Sequence, residues 1–231
     1  MLTKVNNPPC AMPPASETHV LILPQARLAV LATPKAASQT LRAALRPFAI
    51  ISGPFAEAGS RHISAMVYHK HWRHRAERVA GAALETVAVI RDPLDRAESW
   101  YRYRQRKMEG EPNSTRGIGF DSFLFSAAQP EPPSYASIGD QARFLGWDGT
   151  APQVDHLFAF DRLDLIAAFL SDRLGQTLLL PHRNASPSRA TLQLAPASAQ
   201  ARAAFAASHA TEEALYQRVM AAGGYLNSSA R

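Results

Sequence analysis

A short apolar run that passes through a small-residue loop into an amphipathic helix, Leu28 to Phe48 (LAVLATPKAASQTLRAALRPF), constrains this chain more than any other segment. Leu28 to Ala32 reads as a strand buried on both faces, as in a parallel sheet, and Thr33 and Pro34 stop it. Lys35, Ala36, Ala37, Ser38, Gln39 and Thr40 form a loop with one cation and two hydroxyls, and Leu41, Ala44, Leu45 and Phe48 follow at helical spacing. The unpaired N–H groups of the first helical turn and the positive end of the helix dipole would face this loop. Ser38 and Thr40 add hydroxyl donors and Lys35 a mobile charge, so the segment describes a phosphate-sized anion site. An ordinary ATP or GTP loop has its glycines first and its Lys near the helix. Here Lys35 comes first and no glycine lies between it and Leu41, which makes that match poor. A solvated Lys35 with Ser38 as a simple helix cap is the other reading of the same letters.

The pattern recurs at Glu85 to Ile90 (ETVAVI), a strand that runs into Arg91 and then a helix opened by Pro93, with Leu94, Ala97, Trp100 and Tyr101 as its packing stripe. Arg91 is thereby placed at the carboxyl end of a parallel strand, the side on which open sheets bind ligands. Ser99 follows two helical turns later. The planar donor fork of Arg and a Ser hydroxyl can hold one phosphate between them. A surface network of Arg91 with Asp95 or Asp92 is the alternative.

Further along, Val154 to Phe160 reads as a third core strand, and Leu163 to Leu174 as a helix with Leu165, Ile166, Phe169 and Leu170 inward, stopped by Gly175. Ala49 to Ile51 reads as a short strand. A helix opening at Ser60 or His62 would carry Ile63, Met66 and Val67 on one face. Phe120 to Ala127 and Ile138 to Leu145 read as short helices. Ala197 to Ser208 and Thr211 to Ala222 close the chain, the last capped by Thr211 with Glu212 and Glu213 in its first turn. Strand and helix alternate, which predicts an α/β fold with a central, mainly parallel sheet and helices on both faces.

Composition narrows the function class. Apolar residues make up 46% of the 231, as in a folded domain, and 25 Lys plus Arg against 19 Asp plus Glu give +6, a moderate excess that suits a phosphorylated or sulfated ligand as well as nucleic acid. The single cysteine, Cys10, excludes an intrachain disulfide framework and a cysteine-based zinc site. His69, His71 and His74 are interleaved with Lys70, Arg73 and Arg75, which favours a solvated basic face over a metal site. No apolar run approaches the ~18 residues of a membrane span. Residues 1–18, rich in Pro and Asn, lack the apolar core of a secretion signal and read as a flexible leader, leaving 19–231 as a single α/β domain in a cytoplasmic protein, with association at the inner membrane surface left open.

Taken together, PKAASQTL (Pro34 to Leu41) and VIRDPLDRAESWYR (Val89 to Arg102), each following a predicted strand, resemble the nucleotide-binding signature of sulfotransferases that use 3'-phosphoadenosine 5'-phosphosulfate. The likeness is to the carbohydrate sulfotransferase branch and its small bacterial relatives. It implies a three-layer P-loop-like fold in which Lys35 to Thr40 grip the 5'-phosphate, Arg91 and Ser99 grip the 3'-phosphate, and adenosine 3',5'-bisphosphate is the product. It extends less specifically to His62 in RHISA, where relatives often carry a histidine suited to a general base, to HLFAFDRLD, to the LPHRNAS loop containing His182, and to EEALYQRV. The implied acceptor is a hydroxyl on a saccharide or glycolipid, with no metal and no nucleic acid partner. Ala37 stands where glycine is common, which suits so small a side chain if the backbone avoids positive φ. Asp95 and Glu98 lie beside the implied phosphate site and are expected to point away from it. The residues also suit the chemistry: Lys35 balances charge on a bisphosphate leaving group, and His62 takes the acceptor's proton. A histidine that merely caps a helix or packs on Tyr68 would look the same.

Two other classes fit less. A nucleotide-kinase-like phosphotransferase needs an ATP-phosphate loop and a magnesium-holding carboxylate, neither of which stands in a convincing place. A non-catalytic nucleotide- or nucleic-acid-binding module would use Arg102, Arg104, Arg106 and Lys107, with Tyr101 and Tyr103, as a continuous basic track.

Overall fold

A computed structural model describes residues 20–50, 62–180 and 196–228. The expected leader and the loop carrying His182 lie outside them. Among the described residues, β1 (Val20–Leu23), β2 (Leu28–Leu31), β3 (Glu85–Ile90), β4 (His156–Ala159) and β5 (Tyr225–Asn227) form one open sheet in that spatial order. The three central strands are parallel, and both edge strands pair antiparallel. The protein is therefore α/β as expected, but the sheet is mixed rather than mainly parallel. Connection length explains the β1 edge, because a parallel crossover needs a dozen or more residues. β1 reaches β2 through a tight turn in which the Arg27 N–H donates to the Pro24 carbonyl at 3.1 Å, and β5 follows the last helix directly after Gly223 and Gly224, both at positive φ.

Side chains alternate between two cores. Ile22, Ala29, Leu31, Ala88, Ile90 and Leu157 face one side, against Ala65 of α2 (Ala65–Val67), Ala76 of α3 (Arg73–Ala80), and Leu215 and Val219 near the chain's end. Leu23, Leu28, Val30, Val87, Val89 and Phe158 face the other, against Leu41 and Leu45 of one helix and Ile166 and Leu170 of a second. Strands buried on both faces read as unbroken apolar runs, which is why β2 and β3 were visible in the sequence. A third cluster joins α4 (Pro93–Arg104) and α5 (Phe120–Ala127) through Tyr101, Phe123 and Leu124 to Phe205 of a later helix.

Several local expectations are corrected. Ile50 makes a single antiparallel bridge to Ile22 instead of opening a strand, and Ile51 lies outside the described residues. Met66 and Val67 are exposed, while Ile63, Ala65 and Tyr68 are buried. The helix starts only at Ala65, so Ile63 precedes it, and a π turn at Tyr68–Trp72 then shifts the register before α3. After α6 (Gln141–Phe144), α7 (Leu163–Leu174) ends at left-handed Gly175 as read. The last two helices, α8 (Ala199–Ser208) and α9 (Ala210–Ala221), meet at His209, which takes the boundary position assigned to Thr211. Glu212 is not a solvated first-turn carboxylate but fully buried against Arg96. Among the described residues no helix is long and apolar enough to cross a membrane.

Candidate functional site

The register that pairs Leu28 with Glu85 and Val30 with Val87 brings the carboxyl ends of β2 and β3 to one edge of the sheet, so their following loops are neighbours. The first loop leads into α1 (Ser38–Leu45). Its boundary residue is Ala37, no side chain caps the helix, and the first turn carries no acid. Among the described residues the N–H groups of Ser38, Gln39 and Thr40 have no hydrogen-bond partner, as an anion-binding helix start requires. Ser38 is thus inside the helix and is not its cap. Ala36 is buried in the core and offers the site only its backbone.

The backbone shape of this loop overturns one expectation. Ala37 has φ 59° and Lys35 φ 64°, so the chain adopts the left-handed conformation without glycine. Each such residue costs of order 1 kcal/mol. Burial of Leu41 and Leu45 on the following helix, at about 1.5–3 kcal/mol each, exceeds that cost and holds the loop in place.

Arg91 meets this loop directly. One of its terminal nitrogens, Nη1, donates to the Lys35 carbonyl at 3.1 Å, its Nε donates to Asp95 Oδ2 at 2.6 Å, and its guanidinium lies 4.2 Å from the ring centre of Phe160. Asp95 therefore turns toward the site, contrary to expectation, because an Arg and an Asp four residues apart come within reach once α4 begins between them. Glu98 turns down the helix to Arg102. Asp92 caps α4, accepting from the Asp95 N–H at 2.8 Å. The Arg91–Asp95 pair is the one that the alternative reading named, with the Asp95 side chain 32% exposed and that of Arg91 13%. Among the described residues two of its five N–H donors are used, which leaves a fork for a phosphate.

Asp95, Ser99 and Tyr103 lie four residues apart on one stripe of α4. Asp95 holds Arg91, and the Tyr103 ring centre lies 4.3 Å from Lys35 Nζ. Ser99 sits on the stripe between these two contacts. Trp100 adds a second ring 5.6 Å from the ammonium. Burial, followed by the charges of Arg106, Arg91 and Arg104, lowers the Lys35 pKa from 10.5 to about 8.

His62 stands at the mouth of the same loop, its Nδ1 2.8 Å from the carbonyl oxygen of Ala32 at the end of β2. A carbonyl only accepts, so Nδ1 carries the proton, and in the neutral ring the lone pair is on Nε2. That is the tautomer of a base, and this anchor is to the loop.

Tyr103, Trp100 and Phe160, which pack on Lys35 and Arg91, were not named as site residues; Trp100 was read into a packing stripe and Phe160 into a core strand. The basic run after Tyr101 is not a continuous track. Arg104 is buried, donating to the carbonyls of Tyr135 and Ser137 at 2.7 Å, Arg102 pairs with Glu98, and Lys107 with Glu111 at 3.6 Å. His69 bonds the Gln153 carbonyl at 2.8 Å and His74 bonds Arg78 at 2.9 Å; no group of three or more metal-ligand side chains gathers among the described residues. No protein-family model matches the chain, and no curated protein or solved structure matches it.

Proposed function

We propose that this protein is a sulfotransferase of three-layer P-loop-like fold that moves a sulfuryl group from 3'-phosphoadenosine 5'-phosphosulfate to a hydroxyl of a saccharide or glycolipid. The observation that carries this reading is the contact between two anion-binding elements, the unpaired first turn of α1 beside Lys35 and the Arg91 fork that donates to the Lys35 carbonyl. Two adjacent grips suit a nucleotide with phosphate at both its 3' and 5' positions. In this reading α1 and Lys35 hold the 5'-phosphate, and Arg91 and Ser99 hold the 3'-phosphate. His62 Nε2 takes the acceptor's proton as the acceptor oxygen bonds to sulfur, and the bond from sulfur to the 5'-phosphate oxygen breaks, releasing the bisphosphate.

Titration calorimetry with adenosine 3',5'-bisphosphate, ATP and 5'-AMP tests the cosubstrate. The bisphosphate is expected to bind tightest, and equal affinity for all three would remove the assignment.

A pH dependence follows from Lys35. Its pKa of about 8 means that the free protein loses this charge as pH rises through 8, whereas a bound phosphate holds the proton on. Binding above pH 8 therefore takes up a proton, and affinity should fall with rising pH, by up to about tenfold per pH unit, until the pKa of the complex is reached. Below pH 8 Lys35 is charged in both states and contributes no slope. Phosphate groups, with second pKa values near ~6, are already ionised in this window. Calorimetry at pH 7, 8 and 9 in buffers of different ionisation enthalpy should show the proton uptake; a flat affinity would place Lys35 away from the phosphate.

A further inference from the structure

The ladder between β3 and its neighbours ends before Arg91. β4 pairs with β3 as far as Ile90, and β2 only as far as Val87. The peptide groups of Arg91 are nevertheless paired, by the side chain of Gln141 on α6. The Arg91 N–H donates to Gln141 Oε1 at 3.0 Å, and Gln141 Nε2 donates back to the Arg91 carbonyl at 2.8 Å. One primary amide thus gives Arg91 the reciprocal pair of bonds that a residue of an antiparallel strand would supply.

Gln141 is itself held from behind. Its Nε2 also donates to Glu212 Oε1 at 2.7 Å, and its backbone N–H donates to Glu212 Oε2 at 2.9 Å. A flipped amide would set N–H against N–H at Arg91 and oxygen against the Glu212 carboxylate, so only one orientation is allowed. Glu212, fully buried on α9, also accepts from Arg96 Nε and Nη2, each at 3.1 Å. Arg96 completes its bonding at the carbonyls of Ile138, 3.0 Å, and Gly139, 2.7 Å. Arg96 is three residues before Ser99 on α4, so one buried, satisfied network ties the Arg91 end of β3 to the helix that carries Ser99. A buried ion pair is weak evidence for stability, since apolar residues can fill the same space at no loss. What an apolar filling could not do is hold both peptide groups of Arg91.

We propose that Gln141, oriented by the buried Glu212–Arg96 pair, is the positioning residue that aims Arg91 at the ligand's 3'-phosphate. This rests on the reading of Arg91 given above.

Gln141→Met keeps side-chain length and volume and removes the amide. The affinity for adenosine 3',5'-bisphosphate is expected to fall by about 10- to 100-fold, the scale of a roughly 1 Å misplacement, while that for 5'-AMP, which lacks the 3'-phosphate, changes by less than about twofold. Gln141→Asn, uncharged but one methylene shorter so that its amide is drawn back from Arg91, is read the same way if the first variant does not fold. Amide hydrogen exchange at Arg91, compared with Ile90 in the same protein, is the second measurement, and selective acceleration at Arg91 in the variant supports the clamp. Equal losses for both nucleotides, or an unchanged ratio, would reduce Gln141 to a structural role and overturn the proposal. If the parent protein fails to prefer the bisphosphate, the cosubstrate reading falls by itself. The clamp is then decided by exchange alone, and an Arg91 N–H that exchanges equally in parent and variant overturns it.

Discussion

Replacing Arg91 with Ala should weaken binding of adenosine 3',5'-bisphosphate by about 2 to 5 kcal/mol, the range for truncating one partner of a desolvated charge pair. That corresponds to roughly 30- to 5,000-fold in Kd. Asp95 pushes the result toward the upper end. In the parent protein its carboxylate is neutralised by Arg91 at 2.6 Å, and in Arg91→Ala it is left beside the incoming phosphate with its charge unopposed. The same pair gives the variant set a sign that a general loss of folding would not reproduce. A phosphate reaching Arg91 competes with Asp95 for the guanidinium, so Asp95→Asn should bind the bisphosphate more tightly than the parent. Adding Asp95→Asn to Arg91→Ala should recover part of the loss, and the four proteins form a cycle whose interaction term isolates the pair. Calorimetry reads all four. An Arg91→Ala protein with unchanged affinity removes Arg91 from the site, and an Asp95→Asn protein that binds more weakly would mean that the carboxylate orients the guanidinium instead of competing for it.

The parts of this site that were legible in the sequence are those that local pattern determines. LAVLA and the VAVI of ETVAVI are continuous apolar runs, as strands covered on both faces show, and each passes into a helix. The positions of Lys35, Arg91 and Ser99 at or after strand ends follow from that order alone. What pattern could not decide is which way a side chain turns. Asp95 has the spacing to pair with Arg91 and an equal opportunity to face solvent; the choice depends on Phe160 and the Lys35 carbonyl, which reach Arg91 from other parts of the chain. The left-handed backbone at Ala37 was hidden for a related reason. Its cost falls on a residue whose letter advises against it, and it is offset by Leu41 and Leu45 packing into a core that includes Phe158 and Ile166. Gln141 and Glu212 were less legible still: each is an ordinary polar residue in its own helix, and they acquire a shared role only when α6 and α9 meet over the end of β3. The edge strand β1, as long and as buried as β2, was passed over, and β5 failed for want of length. β5 has three residues, none fully buried, too few to show an alternation.

His62→Asn should lower the transfer rate by about 10²- to 10⁴-fold, the usual reach of a positioned acid or base, with bisphosphate affinity and thermal unfolding nearly unchanged. Geometry favours Asn over Ala as the first variant. His62 is tied to the loop by donation from Nδ1 to the Ala32 carbonyl at 2.8 Å, and an Asn side-chain amide places an N–H donor near the position of Nδ1. It can keep the anchor while removing Nε2, the only ring atom that can accept the acceptor's proton. His62→Ala loses both the anchor and the base, so the difference between the two variants measures what the anchor contributes to loop order. If His62 were a structural histidine, Asn would retain most of the activity and Ala would lose it together with stability. If His62 is the base, Asn and Ala should be comparably slow, and only Ala should lower the unfolding temperature. The exposed His71, in the same basic segment, is the control and should be nearly silent when changed to Asn. A His62→Asn protein that turns over within about threefold of the parent, measured where transfer limits the rate, falls far short of the loss a general base would cause and assigns His62 to holding the Ala32 end of the loop.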